Sequence, residues 1–67
     1  MNIILNKEPY AIQGTGHQLS DLIQELNLPP QPMAVAVNRA IVIKAKWAGY
    51  TLQVNDRVDI VRAIGGG

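Results

Sequence analysis

Only one stretch of this chain has the spacing of a helix, and it is short. Leu19, Leu22, Ile23 and Leu26 fall at i, i+3, i+4 and i+7, which puts all four on one stripe. Gly14-Thr15-Gly16 breaks the pattern before it. Pro29-Pro30 ends it, because the residue before a proline is pushed out of the α region. The remaining apolar runs are brief and rich in Ile and Val, which suits strands. A single helix can cover only one face of whatever sheet those strands form. At 67 residues there is little else to build with, since a chain this small buries only about 60% of its unfolded surface. The core must also be mostly aliphatic, as the aromatics are Tyr10, Trp47 and Tyr50 alone.

Along the chain, Met1 to Asn6 reads as a first strand, Lys7-Glu8-Pro9 as a turn, and Tyr10-Ala11-Ile12 as the second strand of a hairpin. Asp21 suits the positive end of the helix dipole. Gln18 holds the capping place, with Thr15 and Ser20 as imperfect alternatives. Pro29-Pro30-Gln31-Pro32 reads as a rigid connector within one domain. Ala34 to Val37 and Ile41 to Ile43 make two further strands around Asn38-Arg39-Ala40, where Asn38 suits a left-handed turn. Lys46 to Gly49 reads as a helical turn, Tyr50 to Val54 as irregular, and Asn55-Asp56 as a turn before a closing strand, Arg57 to Ile64.

The order β-β-α-β-β-β predicts an α+β domain over residues 1–64, and it resembles the β-grasp, ubiquitin-like fold. That likeness implies a mixed sheet of four to five strands, with the first and last strands parallel neighbours at its centre. Ile3, Leu5, Val58 and Ile60 then face the helix, while Ile4 and Val61 lie on the uncovered face. An apolar patch left uncovered marks a partner surface.

Composition excludes several functions. Six basic and five acidic residues leave a net charge of +1, and Lys7, Arg39, Lys44, Lys46, Arg57 and Arg62 are scattered. No basic face for nucleic acid is expected. The lack of cysteine removes disulfides, thiolate nucleophiles and Cys-based metal sites. With no secretion signal or membrane-length apolar run, a cytoplasmic location is expected. His17 stands alone and reads as solvated or locally bonded, and the carboxylates Glu8, Asp21, Glu25, Asp56 and Asp59 read as solvated. Ser20 and Thr15 have no base partner, and Gly14-Thr15-Gly16 lacks the lysine of a phosphate loop. Trp47 reads as packing at the edge of the core rather than as an exposed anchor.

What remains is the end of the chain. Gly65-Gly66-Gly67 follows the closing strand directly. Glycine is costly to order and offers nothing to pack, so such a tail does little for a fold. Its use is reach: without Cβ atoms it can thread a narrow channel and present an unhindered carboxyl group.

Ala34-Val35-Ala36-Val37-Asn38, Ile41-Val42, Trp47 and the ending from Asn55 to Gly67 resemble the ThiS-type sulfur carriers of thiamine biosynthesis, over essentially the whole chain. Asn55 departs from the glycine common before the aspartate in that family, a change of turn geometry and not of chemistry. The resemblance implies a carrier and not an enzyme. It implies that Gly67 is adenylated by a ThiF-type enzyme using ATP and magnesium, and that the adenylate becomes a thiocarboxylate with the help of a sulfur donor protein. The sulfur then passes to thiazole synthase. Gly65 and Gly66 supply the flexible thread, and no cofactor is held stably. The carrier is expected to be a monomer when free, with Ile4, Val61, Arg57 and Arg62 as candidate docking residues. Arg57 and Arg62 read either as steering charges or as ordinary solvated ones. Two other readings stand beside it: a MoaD-like carrier for molybdopterin, whose chains are commonly longer, and a ubiquitin-like interaction module or modifier.

Overall fold

The computed structural model describes residues 1–28 and 32–62. All but Pro32 of the expected connector Pro29-Pro30-Gln31-Pro32, the expected end of the closing strand at residues 63 and 64, and the glycine tail at 65–67 lie outside them. Among the described residues five strands form one mixed sheet: β1 (Asn2–Leu5), β2 (Glu8–Ala11), β3 (Met33–Val37), β4 (Ala40–Ile41) and β5 (Arg57–Arg62). Their order is β2-β1-β5-β3-β4, so β1 and β5 are adjacent and parallel inside the sheet, as the β-grasp likeness implies. One α-helix, α1 (Leu19–Leu26), lies on one face, beside a 3-10 helix over Lys44–Gly49. Among the described residues no helix is long and apolar enough to cross a membrane.

Alternation along the strands sorts the faces. Ile3, Val35, Val37 and Val58 point at the helices and are almost fully buried with Leu19, Leu22 and Leu52. Leu5, Ile60, Ile23 and Leu26 pack half-buried around them. Trp47 closes the edge of this core: it is 8% exposed, and its indole N–H donates to the Val42 carbonyl at 2.7 Å. The packing reading of Trp47 holds.

Two expectations need correction. The first hairpin turns at Asn6-Lys7, with φ of 47° and 71°, and Pro9 lies inside β2 opposite Ile4. Pro9 is tolerated there because β2 is an edge strand, and the Ile4 N–H is committed to the other side, donating to the Asp56 carbonyl at 2.9 Å. The second correction concerns the carboxylates. Asp56 is only 9% exposed; it accepts from the Asn38 side chain at 3.0 Å and the Gln53 N–H at 2.7 Å. Glu25 is half-buried and accepts from the Tyr10 hydroxyl, the Gln13 N–H (2.9 Å) and the Gly14 N–H (2.8 Å). Asp21 accepts from the Gln18 N–H at 3.1 Å, so the imperfect capping residue is held by a side chain one turn on. Three of the carboxylates expected to be solvated are therefore fasteners.

Candidate functional site

The candidate chemistry lies at Gly67, outside the described residues, at the end of the chain that the closing strand carries. Strand β5 is that carrier, and it is fixed from both sides. On one side it pairs with β3 without a bulge, from Val37 opposite Val58 to Met33 opposite Arg62. On the other it runs beside β1, with the Asn6 N–H donating to the Val58 carbonyl at 2.9 Å.

Two turn asparagines reinforce this hold. Asn38 has φ of 51°, as its residue type suggests. Its N–H donates to the Arg57 carbonyl at 2.7 Å, and its side-chain oxygen accepts the Arg57 N–H at 3.0 Å. With Asp56 buried beneath, the start of β5 is clamped. Asn6 does the same further along: its side-chain oxygen accepts the Ile60 N–H at 2.8 Å, where β1 has already turned away. Sequence reasoning placed Asn38 in its turn but missed Asn6 and Asp56, whose partners are 54 and 18 residues away. The only local signal was an asparagine ahead of a basic residue, repeated as Asn6-Lys7 and Asn38-Arg39.

The candidate docking residues divide. Ile4 and Arg57 are register partners on the face away from the helices, and Val61 follows two pleats later on the same side. Val61 is 68% exposed, as is Ile41 on β4, and Ala34 and Ala36 lie between them. None of the described residues covers this face. Arg62 does not join it: opposite the half-buried Met33, it lies on the helix side of β5 and is exposed. Arg57 sits at the opposite end of β5 from the tail, so the two arginines do not form one patch. His17 is exposed on the connection before α1. Among the described residues no group of three His, Asp or Glu side chains is placed to hold a metal ion.

Residues 3–67 match the model of the ThiS family. A thiazole synthase from Magnetococcus marinus is 36% identical over all 67 residues, and the chain spans about a fifth of that relative's length (20%). The fold superposes on the crystal structure of a thiamine biosynthesis protein, ThiS, from Geobacter metallireducens with a TM-score of 0.83. Identity is 22%, and both chains are fully covered. A solution structure of a thiamine biosynthesis protein from the same organism gives a TM-score of 0.81, again at 22% identity, covering this whole chain and 88% of the other.

Proposed function

The chain belongs to the ThiS family, and on that premise we propose that it is a sulfur carrier of thiamine biosynthesis whose working group is the carboxylate of Gly67. A carboxylate resists nucleophiles until one oxygen becomes part of a good leaving group. In the proposed sequence a Gly67 carboxylate oxygen attacks the α-phosphorus of magnesium-bound ATP on a ThiF-type enzyme, and pyrophosphate leaves. The outer sulfur of a donor protein's persulfide then attacks the acyl carbon and AMP departs; a thiol cleaves the resulting sulfur–sulfur bond, leaving a thiocarboxylate on Gly67 and a disulfide on the donor side. Thiazole synthase takes that sulfur.

The chain's own contribution is delivery. Gly65 and Gly66 add no Cβ atoms where the enzyme's channel must close, and β5 gives the tail a rigid base. The observation that carries the reading is the family match, which runs through the terminal glycines to residue 67. The thiamine pathway is favoured over molybdopterin because a relative matched along the whole of this chain is named as a thiazole synthase. Docking is assigned to the uncovered face, with Ile4, Val61 and Arg57 against the partner and Arg62 beside the tail.

Adenylation itself is the test. ATP–pyrophosphate exchange by a ThiF-type enzyme is expected with the native chain. It should vanish with Gly67→Ala or with Gly67 deleted, while both variants keep the native circular dichroism. Normal exchange by either variant would contradict the reading.

A further inference from the structure

The β5 strand outlasts the neighbour on one of its flanks. On the β3 side pairing continues to Arg62, but the β1 ladder stops at Leu5 opposite Val58, because the chain turns at Asn6-Lys7. In a strand the N–H and C=O of one residue point to the same side, and successive residues alternate. The Arg57 carbonyl accepts from Asn38 on the β3 side, whereas the Val58 carbonyl accepts from Asn6 on the β1 side. With no bulge intervening, Ile60 and Arg62 share the orientation of Val58. Asn6 satisfies the Ile60 N–H. The Ile60 carbonyl and the Arg62 N–H then face the place β1 has vacated, where no strand lies among the described residues.

We propose that this open edge receives an extended main-chain segment of the adenylating enzyme, which adds a strand in line with β1. The inference rests on the sulfur-carrier reading. Strand addition supplies main-chain hydrogen bonds without demanding particular side chains, and an unpaired edge is a ready template for it. Geometry selects the occupant. Gly67 lies five positions beyond Arg62, a span of at most about 17 Å when fully extended. An enzyme that encloses the Gly67 carboxylate therefore also lies alongside the end of β5. The outer edges of the sheet are poorer templates: β2 carries Pro9, and β4 has two residues.

Proline at position 62 removes the N–H that faces the vacated place and leaves the β3 ladder intact, because that ladder uses Val61 and not Arg62. The Michaelis constant for the carrier in pyrophosphate exchange is expected to rise about fivefold for Arg62→Pro beyond whatever Arg62→Ala produces, the worth of one hydrogen bond. The turnover number at saturation should not change. Equal constants for the two variants would overturn the proposal. Hydrogen exchange on the unmodified chain gives a second readout: the Arg62 amide should slow when the enzyme is added. An unchanged amide, or slowing in the free carrier as its concentration rises, would also overturn it, the latter assigning the edge to a second copy. A native chain that the enzyme does not adenylate at all would instead overturn the carrier reading beneath it.

Discussion

Asn6, Asn27, Asn38 and Asn55 all adopt left-handed backbone, with φ between 47° and 68°. Asparagine tolerates that region better than other side-chain-bearing residues, and its amide adds a hydrogen-bonding group that glycine lacks. The difference separates two of these positions. Asn55 makes no side-chain hydrogen bond among the described residues, so Asn55→Gly should change stability by no more than about 0.5 kcal/mol. Asn38→Gly keeps the turn but removes one of the two donors to buried Asp56 and the acceptor of the Arg57 N–H, and should cost about 2 kcal/mol. Urea denaturation of both variants checks the contrast; equal losses would contradict it. Gly16 is constrained differently. A Cβ there would lie 2.4 Å from an Asp21 carboxylate oxygen and 3.0 Å from its Cβ. Gly16→Ala should therefore destabilise by about 1–3 kcal/mol, read by the same titration. Sequence reasoning recognised the Gly14-Thr15-Gly16 break, but not that its backbone lies against the helix's acidic side chains.

At the level of elements, α1 is attached by both of its faces. Its apolar stripe was legible from the spacing of Leu19, Leu22, Ile23 and Leu26, and all four pack in or against the core. Its polar side carries Glu25, which ties β2 and the following loop to the helix through Tyr10, Gln13 and Gly14. Such a tie is invisible in sequence, because it depends on which backbone groups the fold brings within reach. The Gln13 N–H, the Tyr10 hydroxyl and the Gly14 N–H, in that order, hold the Glu25 carboxyl below its ordinary value of 4.5, against a smaller opposing push from burial. The same hydrogen bond, more than burial or the Glu25 charge, raises the Tyr10 hydroxyl above its ordinary value. A depressed carboxyl contributes stability that is complete above its unfolded value and is lost as pH falls through the folded one. Native protein should therefore lose stability as pH drops below 4.5, and Glu25→Gln should flatten that part of the decline. Melting temperatures measured across the acid range test this; parallel curves would contradict it.

For the whole molecule, the one-sided cover was legible from the single helix, whereas the parallel centre of β1 and β5 was implied by the β-grasp likeness, which the aliphatic runs fit. Turn positions were less so. Pro9 drew the first turn to itself, while the true turn at Asn6-Lys7 carries no glycine or proline. The candidate site was legible only in part: the glycine tail marks its chemistry, but the clamp on β5 is made by residues far apart in the chain. One helix face builds the core; the proposed sulfur-carrier function has the other sheet face meet a partner and β5 lead the chain to a reactive end. Whether the tail is a substrate arm is decided by intact mass. The native chain is incubated with a ThiF-type enzyme, magnesium-ATP and a sulfur donor. One oxygen should be replaced by sulfur at Gly67, and the change should be absent when Gly67 is deleted. An unchanged mass, or a conjugate through lysine, would contradict it.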